Sequence, residues 1–165
     1  MPNDYFNHPC RFPKNVDGPF YTTGHLDRNA DTPDAPSEWR GDCLWCGAPE
    51  AEAAELFAPF DDTYTDTYFV RQPSTPEETS RAIAAARVCC VDAVRYGGQD
   101  REIIARFGND PTVCDFIVDD SGNLTCTVGS DGRLLPFAQA IADQKLAELQ
   151  RWFRKRNKKW WQFWR

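Results

Sequence analysis

Seven cysteines are the residues of this chain whose spacing is most readily tied to chemistry. Two of them stand in a Cys-x2-Cys-Gly segment made of Cys43, Cys46 and Gly47. Such a turn brings two sulfurs to one side of a loop, and the glycine lets backbone N–H groups approach them. Thiolates held in this way bind iron or zinc, or act as a redox pair. The other cysteines are Cys10, Cys89, Cys90, Cys114 and Cys126.

The N-terminus and the hydropathy of the chain predict a reducing environment for these thiols. The first residues lack the basic region and apolar run of a signal peptide, and no apolar stretch approaches the roughly 20 residues of a membrane span. We therefore expect a cytoplasmic protein. An odd number of cysteines there indicates metal or redox chemistry rather than a disulfide scaffold, although Cys114 and Cys126 are expected to be buried simply as small apolar side chains.

The residue pattern predicts an α+β protein whose elements bring distant cysteines together. Strands are predicted at 20–23, 67–72 and 93–96, and a hairpin at 114–118 and 124–128. Helices are predicted at 49–57, 74–88 and 100–107, with a long helix that Pro136 begins. The polar, proline-bearing segment 25–40 is predicted to be a loop insertion.

The order strand, Cys-x2-Cys-Gly loop, acidic helix, strand, amphipathic helix, cysteine, strand resembles that of single-cluster bacterial ferredoxins of the [4Fe-4S] type. Residues 43–47 match their first cysteine loop, 50–57 the following helix, and 90–94 their distal element. The resemblance covers about residues 18–98 outside the insertion. It implies a ferredoxin-like fold with a small antiparallel sheet and two helices. It also implies an iron–sulfur cluster on Cys43, Cys46 and Cys90, and electron transfer to a redox partner protein.

The chain departs from this family at two positions. Pro49 stands where the family has its third proximal cysteine, and Val91 replaces the proline that follows the distal cysteine. A fourth ligand would come from Cys10, Cys89, His8 or His25. Three alternatives remain open at this point: a variant cluster, a zinc site with the same thiolates, and a metal-free protein in which Cys43 and Cys46 stay as thiols or form a redox pair.

The C-terminal tail differs in charge from the rest of the chain. Residues 151–165 carry seven basic side chains and no acid, whereas the first 150 residues hold 12 basic and 25 acidic ones. At helical spacing one face of the tail is apolar, with Ala142, Leu146, Leu149, Phe153, Trp160 and Trp164. The opposite face is basic, with Arg151, Arg154, Lys155, Lys158, Lys159 and Arg165. This pattern predicts binding to an anionic membrane surface or a partner, or packing of the aromatic face on the protein's own body.

These features divide the chain into an N-terminal segment 1–17, a ferredoxin-like domain 18–110 with the insertion 25–40, a hairpin 111–135 and a basic aromatic helix 136–165. The acidic main domain is not expected to bind nucleic acid, because phosphate contact needs positive charge. No phosphate loop, dinucleotide fingerprint or hydrolase elbow occurs, so we expect no enzyme. The predicted function is electron transfer or a redox accessory role. The alternative is a non-redox binding or interaction module that keeps the ferredoxin-like fold, has zinc or no metal, and works through its acidic face or through its basic tail at a membrane surface.

Overall fold

The computed structural model describes residues 4–27, 38–44, 46–58 and 66–162, with side chains to residue 156. Its elements are β1 (Phe20–Thr22), β2 (Gly24–Asp27), β3 (Glu38–Gly41), α1 (Ala48–Ala53), α2 (Pro76–Val88), β4 (Val94–Tyr96), α3 (Arg101–Arg106), β5 (Phe116–Val118), β6 (Leu124–Cys126) and α4 (Pro136–Gln162). In this part of the chain the strands form three antiparallel pairs, β1–β4, β2–β3 and β5–β6. The prediction of a mixed α/β protein with small antiparallel sheets and a long C-terminal helix is confirmed.

The central pair, β1 with β4, determines which loops meet. Phe20 lies opposite Tyr96, and Thr22 lies opposite Val94. All six residues of the two strands are buried, as expected for strands at the middle of a core. Because the strands are antiparallel, the chain leaves β1 at the same end of the pair at which it enters β4. The loop that precedes β4, which carries Cys90, therefore lies beside the segment that follows β1.

Helix α2 begins and ends where its sequence signals predict. The Thr75 hydroxyl accepts a hydrogen bond from the Glu78 N–H at 3.1 Å, and Pro76 occupies the first turn, where no N–H partner is needed. The face formed by Ala82, Ile83, Ala85 and Ala86 is buried in the main hydrophobic cluster. This face packs α2 against α1, so the two helices that flank the cysteine loops are held together.

The strand predicted at 67–72 is wrong. Only Phe69 is paired there, in an isolated antiparallel bridge with Phe57. The reason is a side chain that takes the place of a backbone ladder: the Gln72 amide accepts from the Phe20 N–H at 3.0 Å and donates to the Phe20 carbonyl at 2.8 Å. A side-chain amide presents the same donor and acceptor as a peptide group, so it closes the edge of β1 without a further strand.

Two other predicted boundaries change. Residues 25–40 are not simply a loop, because their two ends form β2 and β3, with Gly24 opposite Gly41; residues 28–37 lie outside the described part. Most residues of these two strands are exposed, and many are polar. The sequence therefore lacks the alternating apolar pattern by which a strand is predicted. The helix predicted at 49–57 ends at Ala53, since the chain then turns to bury Leu56 and Phe57 in the core.

The C-terminal elements match the predicted helix–hairpin–helix order. The Asp100 carboxylate accepts from the N–H groups at the start of α3, and Gly108, at φ 74°, follows its end. β5 and β6 form the expected hairpin, with Gly122 at φ 80° in its turn. Among the described residues, no helix combines the length and apolarity needed to cross a membrane.

Candidate functional site

Cys46 and Cys90 lie close together at the protein surface, near enough for the Cys46 sulfur to raise the pKa of the Cys90 thiol. Both residues are exposed. Cys46 lies just before the start of α1, and Cys90 lies two residues after the end of α2. The packing of α1 on α2 therefore brings together two cysteines that are far apart in the sequence.

Backbone hydrogen bonds fix the two loops at one end of the β1–β4 pair. The Thr23 N–H donates to the Ala93 carbonyl at 2.8 Å, which ties the end of β1 to the segment before β4. The Asp42 N–H donates to the Thr23 carbonyl at 3.0 Å, which brings the Cys43–Cys46 segment to the same place. The pair of thiols thus rests on a rigid part of the fold.

The backbone conformation at position 47 requires a glycine. Its φ of 70° lies in the left-handed region, which residues with a Cβ adopt at a cost of about 1–2 kcal/mol. Nothing lies within 4 Å of a Cβ built at this position, so the requirement comes from the dihedral angle and not from crowding. This turn begins α1 directly after Cys46 and leaves the thiol exposed.

The environment of Cys90 keeps its thiol protonated at neutral pH. Loss of hydration raises the pKa of Cys90 most, and the nearby Cys46 sulfur raises it further through its charge and the hydrogen bond. A hydrogen bond raises the pKa of a thiol when that thiol is the donor. Cys90 therefore acts as a proton donor toward the Cys46 sulfur.

The other predicted ligands lie in different surroundings. Cys43 is partly buried and packs against the main hydrophobic cluster. Cys89 is buried, and its sulfur accepts a hydrogen bond from the Ala93 N–H at 3.3 Å. Cys10 is partly buried beside Gly132, and burial raises the pKa of its thiol, as do the charges of nearby aspartates.

Within the described ranges, no three His, Cys, Asp or Glu side chains are arranged so that they could hold a metal ion. A [4Fe-4S] cluster needs thiolates on each iron, and zinc takes four ligands. The described residues fit a site of two thiols, Cys46 and Cys90, and do not assemble the set of three that the ferredoxin resemblance implies. The cluster and the zinc site stay predictions.

A buried charged network lies behind β4, and few features of the sequence predict it. The Arg95 guanidinium donates to the Asp115 carboxylate at 2.9 and 3.2 Å and to the carbonyls of Pro111 and Thr112. The Tyr21 hydroxyl donates to the same carboxylate at 2.7 Å. Burial by itself lowers the pKa of Arg95, but its interactions with Tyr21 and Asp115 outweigh burial and raise it. An arginine inside the short apolar run of β4 is the one signal that could have indicated this network.

A polar cavity of about 430 Å³ lies next to the turn that carries Cys90, between His8, Cys10, Asp42, Asp92 and Arg95. Burial lowers the pKa of His8, and its Nδ1 accepts a hydrogen bond from the Cys10 N–H at 3.0 Å. His8 is therefore neutral at pH 7, with its Nδ1 lone pair already used. A Cys–His nucleophile needs that imidazole nitrogen to take the thiol proton, so the arrangement does not favour one here.

The predicted residues of the tail are only partly described. Phe153, Arg154 and Lys155 are exposed on α4. The side chains of Lys158, Lys159 and Trp160, and the whole of Trp164, lie outside the described part.

Comparison of the chain with protein-family models, with curated proteins and with solved structures finds no match. The geometry of the thiol pair is therefore the basis on which a function can be argued.

Proposed function

We propose that this chain is a redox accessory protein whose redox centre is the pair Cys46 and Cys90. The observation that carries the proposal is the proximity of these two exposed thiols, one beside the start of α1 and the other beside the end of α2. Two thiols in contact form a disulfide when they lose two protons and two electrons. The fold supplies this contact from segments that the sequence separates widely.

Thiol–disulfide exchange with a disulfide, on a small molecule or a partner protein, completes the electron balance. The Cys46 thiolate attacks one sulfur of the incoming disulfide, and the other sulfur leaves as a thiolate that takes up a proton. Cys90 then loses its proton and attacks Cys46 in the mixed disulfide, which closes the Cys46–Cys90 bond and releases the second thiol. Two electrons pass from the pair to the incoming disulfide.

The raised pKa of Cys90 sets the pH dependence of the closing step. Only the thiolate attacks. Below the pKa of Cys90, the fraction of thiolate grows about tenfold for each unit by which the pH rises. Closure of the disulfide should therefore accelerate as the pH rises from 7 to about 9. Loss of hydration, together with the nearby Cys46 sulfur, raises the pKa of Cys90 and keeps that thiol protonated in the reduced pair until an oxidant arrives.

The test is to equilibrate the full chain anaerobically in glutathione redox buffers, then to alkylate it and map its disulfides by peptide mass spectrometry. We expect a peptide pair linked through Cys46 and Cys90, which Cys46→Ser and Cys90→Ser each abolish. Cys126→Ser is the matched control, because Cys126 is also partly accessible but donates to the Val128 carbonyl at 3.5 Å. Absence of the linked pair at every buffer ratio would overturn the proposal.

Electron transfer through an iron–sulfur cluster is the second candidate. It is favoured by the hydrogen bonds of Thr23 with Ala93 and of Asp42 with Thr23, which bring both cysteine-bearing loops to one end of the β1–β4 pair. Cys43, Cys46 and Cys90 would hold the cluster, which would supply one-electron chemistry to a redox partner protein. This arrangement needs a change in the position of the Cys43 thiol.

Metal analysis separates the candidates. Iron, sulfide and zinc are measured per chain after anaerobic purification, together with a visible absorption spectrum. Stoichiometric iron and sulfide that Cys43→Ser and Cys90→Ser remove would support the cluster. A folded, colourless protein after attempted reconstitution would eliminate it, and stoichiometric zinc would then support the interaction module with a structural metal.

A further inference from the structure

The first part of α4 is held by the body of the protein. Ala138 is fully buried, and Lys145 Nζ donates to the carbonyls of Gly108 and Asn109 at 2.7 and 3.2 Å. Lys145 also pairs with the Asp110 carboxylate at 3.5 Å. A cation at the carbonyls that follow α3 satisfies their free lone pairs, so this contact fixes the direction in which α4 leaves the body.

From residue 146 to residue 156 the helix is uncovered. Every residue from 146 to 156 is exposed, and the exposed fraction is 56% for both Leu149 and Phe153 and 49% for Trp152. The predicted alternative, in which the aromatic face packs on the protein's own body, is therefore wrong for this stretch. Large apolar side chains grouped on one exposed helix indicate a surface for binding.

The positive charge of this stretch favours an anionic partner. Its apolar stripe at Leu146, Leu149 and Phe153 is matched on the other side by basic residues such as Arg154 and Lys155, and no acid occurs after residue 148. An apolar stripe that contains aromatic side chains, opposite a face of Lys and Arg, fits the boundary between acyl chains and anionic headgroups. A nucleic acid would engage the charges but leave the stripe in water.

The length of the helix separates this basic surface from the acidic body. At 1.5 Å per residue, residues 146–162 extend about 25 Å. The Debye length is about 8 Å at physiological salt, and Arg154 and Lys155 lie about 14–15 Å along the helix from Lys145, which contacts the Asp110 carboxylate, so nearly two screening lengths separate them from that negative charge. An anionic surface that repels the body can therefore still attract the tail.

We infer that the part of α4 beyond Lys145 docks the protein on an anionic lipid bilayer, with Leu149 and Phe153 inserted among the acyl chains and Arg154 and Lys155 at the headgroups. The helix lies in the interface and does not span the bilayer. The inference is independent of the redox chemistry at Cys46.

The test measures partitioning of the full chain onto phosphatidylcholine vesicles with and without about 30 mol% phosphatidylserine, at about 0.15 M salt. We expect binding only to the anionic vesicles. The double variant Arg154→Gln/Lys155→Gln should bind about 30-fold more weakly. Arg40→Gln/Arg133→Gln is the matched control, because it removes the same charge from exposed positions on the body and should bind like the wild type.

A second variant distinguishes a bilayer from other anionic partners. Leu149→Gln/Phe153→Gln keeps every charge but removes apolar groups from the stripe, and it should weaken vesicle binding at least about tenfold. The inference is overturned if the wild type does not bind the anionic vesicles, or if the two double variants of α4 bind as the wild type does. It is also overturned if the apolar variant retains full vesicle binding, or if duplex DNA or a second copy of the chain binds more tightly than the vesicles.

Discussion

Formation of the Cys46–Cys90 disulfide should stabilise the folded state by about 4 kcal/mol. The bond closes a loop of about 45 residues, and the loss of entropy from the unfolded chain grows with the logarithm of that length. For a protein of this size each kcal/mol raises the melting temperature by about 2–4 °C, so the oxidised form should melt roughly 8–16 °C above the reduced form.

The full gain requires that the bond forms without distortion of the fold. The two sulfurs already lie close together, and the loops that carry them are tied to Thr23 by backbone hydrogen bonds. Any movement of the backbone that closure demands would subtract strain energy from the stabilisation.

Circular dichroism of the oxidised and reduced proteins, each alkylated before heating, measures this difference. Cys90→Ser should melt at one temperature whichever treatment it receives, and Cys126→Ser should show the same difference as the wild type. If the mapped disulfide is present yet the two forms melt within about 2 °C of each other, the geometric reasoning is refuted, since strain would then cancel the entropic gain.

Three further predictions concern the scaffold of the site. Arg95→Met should lower the free energy of unfolding by about 3–5 kcal/mol, because it leaves the buried Asp115 carboxylate without its cation. Urea denaturation measures this change, and a loss of less than about 1 kcal/mol would contradict the prediction. Thr75→Ala should cost about 1 kcal/mol through the lost helix cap, while Glu77→Asp, its control, keeps the first-turn charge at an exposed position and should leave the urea midpoint almost unchanged. The hydrogen bonds from Arg71 hold the pKa of Glu78 well below its usual value. The ionised Glu78 side chain therefore stabilises the folded state above about pH 4.5, and this contribution is lost as the pH falls below that value. Glu78→Gln should therefore flatten the acid side of the stability profile, and an unchanged profile in acid titrations would show that this pair contributes nothing.

Residues close together in the sequence were sufficient to predict the elements whose ends are capped or turned by their own neighbouring residues. Helix α2 could be predicted because Thr75, Pro76 and the following glutamates act within one turn, and α3 because Asp100 caps it. The hairpin of β5 and β6 follows from a turn at Gly122. Each of these choices is decided by residues a few positions apart, and such interactions can be read from the sequence.

The strand predicted at 67–72 shows where local reading fails. Its residues have the composition of a strand, but Gln72 reaches Phe20, which lies 52 positions away, and takes over the hydrogen bonds that a strand would make. Similarly, the sequence of β2 and β3 looks like a polar loop, since both strands are exposed and lack the alternation that marks a buried face.

The amino-acid sequence by itself determined the presence of the helices and the hairpin, and the opposition of apolar and basic side chains along α4. Only the tertiary structure decided that Cys46 lies beside Cys90 while Cys43 packs against the core, and that the face at Leu149 and Phe153 remains uncovered. The physical reason is that these outcomes depend on pairings between distant segments. Cys89 and Cys90 are adjacent after the end of α2, yet the first is buried and the second is exposed. The packing of the whole domain decides which of the two thiols reaches the surface.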